Sequence, residues 1–131
     1  MAIVSVYAAL LALLFIALSI NVIRVRQSTR TALGDAGDAR LLRAMRVHAN
    51  FAEYVPLALI LLFAAAGLGA TAIWLHLLGA LLLAGRLSHA WGVSRTPENL
   101  TFRVAGMIAT FTVLAATALT LLVLALGDAI T

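Results

Sequence analysis

Cysteine and lysine are both missing from the 131 residues of this chain, and proline occurs twice. Without cysteine there is no disulfide framework, no thiolate metal site and no cysteine nucleophile, so any thiol in its chemistry must arrive with a substrate. Charge is scarce as well: 11% of the residues are charged, against roughly a quarter in a soluble domain. Apolar side chains make up 64% of the chain, and the mean hydropathy is +1.11. This composition excludes an ordinary soluble domain and assigns the chain to a bilayer. All nine cations are arginine and the acids number five, a net charge of +4. A nucleic-acid partner would need that charge on a solvated face, which so apolar a chain does not offer, and none is expected.

Four apolar stretches, at residues 3–23, 47–68, 70–91 and 104–126, are long enough to cross a hydrocarbon core of roughly 30 Å as helices. No period-two alternation favours a strand barrel. The expected fold is an all-α membrane protein, a four-transmembrane-helix bundle formed by residues 1–131 as a single domain. The first stretch has no basic segment before it, and Arg24, Arg26 and Arg30 follow it, so it reads as a retained helix rather than a cleaved signal. Residues 24–46 hold six arginines and two aspartates, and residues 86–103 hold three arginines and one glutamate. The N-terminal segment and the turn at 67–71 carry no charged side chain, while Glu53 and Asp128 are the remaining acids. The positive-inside rule then puts both arginine-rich loops in the cytoplasm and both termini on the opposite face. Residues 33–38 read as a turn whose Asp38 caps a helix that starts before the membrane. Thr96, Pro97 and Glu98 read as cap, first-position proline and first-turn acid of helix 4, with Arg103 one or two turns inside it.

Arg43, Arg46, Asn50, Glu53 and Tyr54 recur at three- and four-residue spacing along helix 2, which places them on one face. A carboxylate in the apolar slab costs several kcal/mol unless it is paired or faces water. These groups could satisfy one another as helix glue. The surplus of guanidinium donors over that one acid points instead to an anion site. Pro56 removes one backbone hydrogen bond from the same helix, as a bend or as plain packing. Arg86 and His89 share a face near the end of helix 3. Arg24, Arg26 and Arg30 read first as topology determinants and headgroup contacts. His76 stands alone near the other membrane face and reads as a hydrogen-bonded packing residue; nothing at ligand spacing accompanies it, and no metal is expected.

Arg46, His48, Asn50, Glu53, Tyr54 and Pro56 spell RxHxNxxEYxP, which resembles the signature of the MAPEG family, the membrane-associated proteins in eicosanoid and glutathione metabolism. That family includes microsomal glutathione transferases, leukotriene C synthase and microsomal prostaglandin E synthase. The resemblance extends over nearly the whole chain, including the ending of helix 3 at residues 85–92, and is greatest to bacterial members. It implies a homotrimer in a bacterial inner membrane that binds glutathione, as co-substrate, between neighbouring subunits near the cytoplasmic side.

Carried over by position, Arg46 would hold a glutathione carboxylate and Asn50 and Glu53 the γ-glutamyl end. Tyr54 and His48 would add hydrogen bonds, Arg26 or Arg24 would close the site from helix 1, and Arg86 and His89 would join the binding set. Arg103 is most like the family's arginine that stabilises the thiolate, which makes it the catalytic candidate. The chemistry agrees: two carboxylates and an ammonium call for guanidinium forks and an acid, and a fixed cation raises the thiolate population of a thiol. Where relatives carry a pair of tyrosines at the end of helix 3, this chain has His89 and Val93, and the segment from 86 to 103 differs in length from the leukotriene enzyme. The resulting expectation is a glutathione-dependent transferase or peroxidase acting on lipophilic electrophiles that enter from the membrane lipids. The alternative is a non-catalytic membrane protein that binds an anionic lipid or metabolite in the same inter-subunit cleft. A four-span multidrug exporter resembles it in length, but such proteins carry their essential acid in helix 1, and this helix 1 has none.

Overall fold

The computed structural model describes residues 1–130, with side chains as far as Gly127, so the Asp128 side chain lies outside the described residues. The chain forms α1 (Ala2–Thr29), α2 (Ala39–Gly67), α3 (Ala72–Ser94) and α4 (Leu100–Ile130), with no strand among the described residues. All four are long and apolar enough to cross a membrane. Each runs past the apolar stretch that specifies it at the arginine-loop end, while α2 and α3 stop one or two residues short of theirs at the other. Arg24 and Arg26 are helical residues of α1, and α3 continues to Ser94. Pro56 sits inside α2, which continues through it.

Polar residues at the helix ends decide where each helix stops. Arg30 closes α1 in a left-handed conformation at φ 51°, and the turn that follows uses positive φ at Gly34, Ala36 and Gly37. Asp38 then caps α2 as the sequence suggests, its Oδ1 accepting from the backbone N–H of Arg40 at 2.8 Å and of Leu41 at 3.1 Å. The Arg40 guanidinium, 3.1 Å from Asp38 Oδ2, holds that carboxyl below the usual carboxylate range, helped by the backbone N–H of Leu41. The start of α4 differs from expectation. Thr96 and Pro97, joined by a cis peptide bond, lie in the loop, and α4 begins at Leu100. Asn99 is the cap: its Oδ1 accepts from Phe102 N–H at 3.2 Å and its carbonyl from Arg103 N–H at 3.1 Å. An asparagine amide outranks threonine at this position, and Arg103 consequently falls in the first turn of α4 rather than one or two turns inside it.

Around the bundle the order is α1, α2, α4, α3, with α2 and α3 also touching across the diagonal and no contact between α1 and α4 among the described residues. The core is a column of Leu11 from α1, Phe51, Val55, Ala58 and Leu62 from α2, Leu75, Leu78 and Leu82 from α3, and Val113 from α4. Lipid tails are as apolar as this core, so burial alone gives little drive for helix association, and close backbone approach takes its place. The approach is closest between α3 and α4. A Cβ on Gly106 would lie 2.5 Å from the Gly85 carbonyl and 2.6 Å from His89 N, and one on Gly92 would lie 2.5 Å from Arg103 N. Buried Thr110 and Thr117 return their hydroxyls to the carbonyls of Gly106 and Val113, at 2.8 and 2.7 Å, which leaves no donor stranded there.

Both arginine-rich loops lie at one end, where Arg43 Nη1 donates to the Arg95 carbonyl at 3.0 Å. At the other end Tyr7 Oη meets His76 Nδ1 at 3.1 Å, and Trp74 Nε1 donates to Thr120 at 3.0 Å.

Two outcomes are expected. Gly106→Leu should force α3 and α4 apart and destabilise the protein by about 1–3 kcal/mol, read as a lower Tm in detergent; an unchanged Tm would refute this packing. Asp38→Ala should speed amide hydrogen exchange over residues 39–43 while leaving the centre of α2 protected. Because the Asp38 carboxyl is shifted down on folding, its contribution is present at neutral pH and fades as pH falls through the lowered value, so the parent should approach the variant only in acid.

Candidate functional site

Arg43, Arg46 and Asn50 are three and four residues apart, so one face of α2 presents all three at the loop end of the bundle. There α2 and α4 part to leave a cleft of about 270 Å³. His89 and Val93 of α3 form its back wall, and Glu98 and Arg103 close the side formed by α4. Gly92 allows this closure, because the α4 backbone at Arg103 rests directly on it. The cleft has three guanidinium groups against one carboxylate. That carboxylate is already engaged, since Arg103 Nη1 donates to Glu98 Oε1 at 2.9 Å. Arg43 and Arg46 have no carboxylate partner among the described residues. The cleft is therefore an electropositive recess that seeks an anion.

Behind this wall lies the most unusual group in the protein. Arg86 is 1% exposed, yet no acid pairs with it among the described residues. Its Nη1 donates to Asn50 Oδ1 at 3.1 Å, its Nη2 lies 3.9 Å from the Met107 sulfur, and its buried Nε has no partner among the described residues. One consequence concerns Asn50. With the amide oxygen held by Arg86, the amide NH₂ is left to donate to a ligand. Another is that a buried cation without a counter-ion stands a single side chain away from the cleft.

The remaining expected site residues are dispersed. His48 turns toward α1, with Nε2 3.1 Å from Ser19 Oγ and its ring stacked on Phe15 at 4.6 Å between centroids. Arg26 is occupied by the loop, its Nη1 donating to the carbonyls of Thr31, Ala32 and Gly34 at 3.1–3.2 Å. Tyr54 packs edge-on against Phe111 of α4 at 5.4 Å. Glu53 faces away from the bundle on the same exposed surface as Leu57 and Ile60, without an ion pair among the described residues. Arg24 is exposed as well. Conversely, Glu98 enters the cleft although the sequence suggested for it a helix-start role. The available signal was its place five residues before Arg103 in an otherwise cationic segment.

The model of the MAPEG family matches residues 4–123, which run from the first turn of α1 nearly to the end of α4. The chain belongs to the MAPEG family. Over 107 residues this MAPEG member is 39% identical to the inner membrane protein YecN of Escherichia coli K12, an alignment covering 82% of this chain and 80% of that protein. The YecN of Escherichia coli O6:H1 matches to the same extent. Four membrane-spanning helices in one bundle are the architecture expected of a MAPEG protein, and the cleft is built at the head of α2 where the family motif lies.

A buried cation without a counter-ion carries a desolvation penalty that an apolar side chain of similar length does not. Arg86→Met should therefore hold or raise the Tm of the ligand-free MAPEG protein while releasing Asn50. A large fall in Tm would show that Arg86 has a partner that holds the fold.

Proposed function

We propose that this MAPEG protein binds glutathione in the α2–α4 cleft and uses it to conjugate or reduce lipophilic electrophiles, as a homotrimer in a bacterial inner membrane. The supporting observation is the cleft itself, with Arg43, Arg46 and Arg103 around the Asn50 amide and one acid already paired. Glutathione carries two carboxylates, one ammonium and a thiol. Arg43 and Arg46 match the carboxylates, and Asn50, held by Arg86, offers its NH₂. The family membership and the YecN name, an inner membrane protein, agree with this setting.

Glu53 supports oligomerisation. A carboxylate facing outward from a single chain within the apolar slab costs several kcal/mol, and a second copy over that surface would relieve it. The cleft, at about 270 Å³, is at the lower edge of the roughly 300–1,000 Å³ usual for small-molecule sites, and a neighbouring subunit would complete its open side. Glu53 would then meet either the ligand ammonium or the neighbour's cations.

In the reaction, the glutathione thiol gives up its proton and the thiolate sulfur forms a bond to the electrophilic carbon as the leaving group departs with the bonding electrons. This protein's part is to position the thiol and favour its anionic form. Arg103, which lines the cleft, would take this role, and its ion pair with Glu98 would limit it, because part of the guanidinium charge is already answered. Val93 favours the second reading, a non-catalytic protein with an anionic metabolite or lipid in the same cleft, since an apolar side chain there offers no hydrogen bond to a thiolate.

Arg46→Ala and Glu53→Gln should each weaken glutathione binding by about tenfold or more in calorimetric titration of the purified oligomer, because each leaves a charged ligand group unpaired. Identical isotherms for both variants and the parent would falsify the site. Arg103→Ala should lower turnover of an aryl halide with little loss of affinity. Glu98→Gln should act in the opposite sense, shifting the thiolate absorbance of bound glutathione to lower pH. Binding without any turnover in the parent decides for the second reading.

A further inference from the structure

The helix order places the α1–α3 side of the bundle opposite the α2–α4 cleft. On that side α1 and α3 are separated by an open groove of about 760 Å³. Ala17, Leu18 and Leu87 give it an apolar floor, and Asn21 and Trp91 stand along it. Toward the loop end the groove shares Asn21 and Ser94 with a second cavity of about 220 Å³, flanked by Arg40 and Arg43. An apolar trough thus opens into a polar chamber, with an exposed tryptophan near the junction, where tryptophans settle at membrane–water interfaces.

Arginine outnumbers acid at this junction. Arg24 follows Ala17 and Asn21 at seven and three residues, which puts it on the same face of α1, one turn nearer the loop end. The Arg95 guanidinium lies 4.3 Å over the Trp91 ring. Neither Arg24 nor Arg95 has an acid partner among the described residues, and Asp38, the acid of this rim, is taken by Arg40. Asn21 is exposed at this level of a transmembrane helix, and its side chain makes no hydrogen bond among the described residues. An amide at membrane depth needs a partner, and two unanswered arginines above it need an anion.

We propose that this groove binds an anionic phospholipid from the leaflet on the arginine-loop side. One acyl chain lies in the α1–α3 trough, the ester region meets Asn21, the phosphate lies between Arg24 and Arg95, and the headgroup enters the chamber beside Arg43. A free phosphate would leave the trough empty. A zwitterionic lipid would bring its own ammonium among the arginines. The trough lies on the other side of the bundle from the glutathione cleft, and the two regions share Arg43 at the loop end.

Trp91 is at the site and the other tryptophan, Trp74, is at the opposite end of α3, which provides a local probe. The Trp74→Phe protein, reconstituted at full length in phosphatidylcholine vesicles, is titrated with brominated phosphatidylglycerol or brominated phosphatidylcholine while tryptophan fluorescence is followed. The anionic lipid should quench Trp91 at about fivefold lower mole fraction, the effect of about one interfacial arginine. Arg24→Gln should remove most of that preference. Arg30→Asn, which deletes an equal charge at the C-cap of α1, off the face that carries Arg24, and keeps a residue tolerant of left-handed backbone, should retain it. Equal quenching by the two lipids in the parent overturns the proposal. So does an equal loss of preference in both variants, which would mean general surface attraction. Glutathione titration of the same samples reports on the cleft separately, so failure of one site is distinguishable from failure of the other.

Discussion

The loop end of the bundle depends on the direct contact of α4 with α3 at Gly92 and Gly106. In lipid, helices gain little from burying apolar side chains, and a missing Cβ is what lets two backbones come close enough for dispersion to hold them. At Gly106 the α4 backbone meets the Gly85 carbonyl and His89, and at Gly92 it meets Arg103 N. That contact fixes where α4 begins relative to α3, and with it the distance between the Arg103–Glu98 pair and the α2 face bearing Arg46 and Asn50. The cleft is what remains between two helices, α2 and α4, that are held at that spacing by a third.

Charge placement is the second organising feature. Acids are few and are mostly committed to local tasks: Asp38 caps α2 and pairs with Arg40, and Glu98 pairs with Arg103. The arginines left over have no acid partner among the described residues, and they are concentrated at one end. Arg43 lies between the two regions that gather them, lining both the α2–α4 cleft and the chamber above the α1–α3 groove. Arg86 is the extreme case, buried with an amide oxygen and a sulfur in place of an acid. There it holds the Asn50 amide oxygen and adds positive potential behind the cleft.

Much of the fold was legible because hydropathy acts over about twenty residues and the bilayer admits few solutions. The four stretches became four helices, and Asp38 capped α2 as its side chain allowed. The end signals were less reliable. Thr96 and Asn99 both precede α4 in capping-competent form; asparagine is the stronger cap, and the path of the loop decides which oxygen meets a free backbone N–H. For the site, spacing on α2 correctly joined Arg43, Arg46 and Asn50. It did not tell that Glu53 faces outward from the single chain or that His48 bonds to Ser19 and stacks on Phe15 of α1, because a helix face has no label for its neighbour.

Arg26 illustrates the same division. Its charge and its place after an apolar stretch were readable, but its commitment to three loop carbonyls was not. By itself the sequence determined membership of the bilayer, the number of helices, the clustering of arginine beside two of the three turns, and the lack of any thiol of its own. These are properties of composition and of periodicity along one chain. The tertiary structure decided which guanidinium groups share a space, which are answered by an acid, and that a second cationic recess lies on the far side of the bundle. Those are distances between helices, set by glycine contacts and loop paths, and they arise once the four helices are packed.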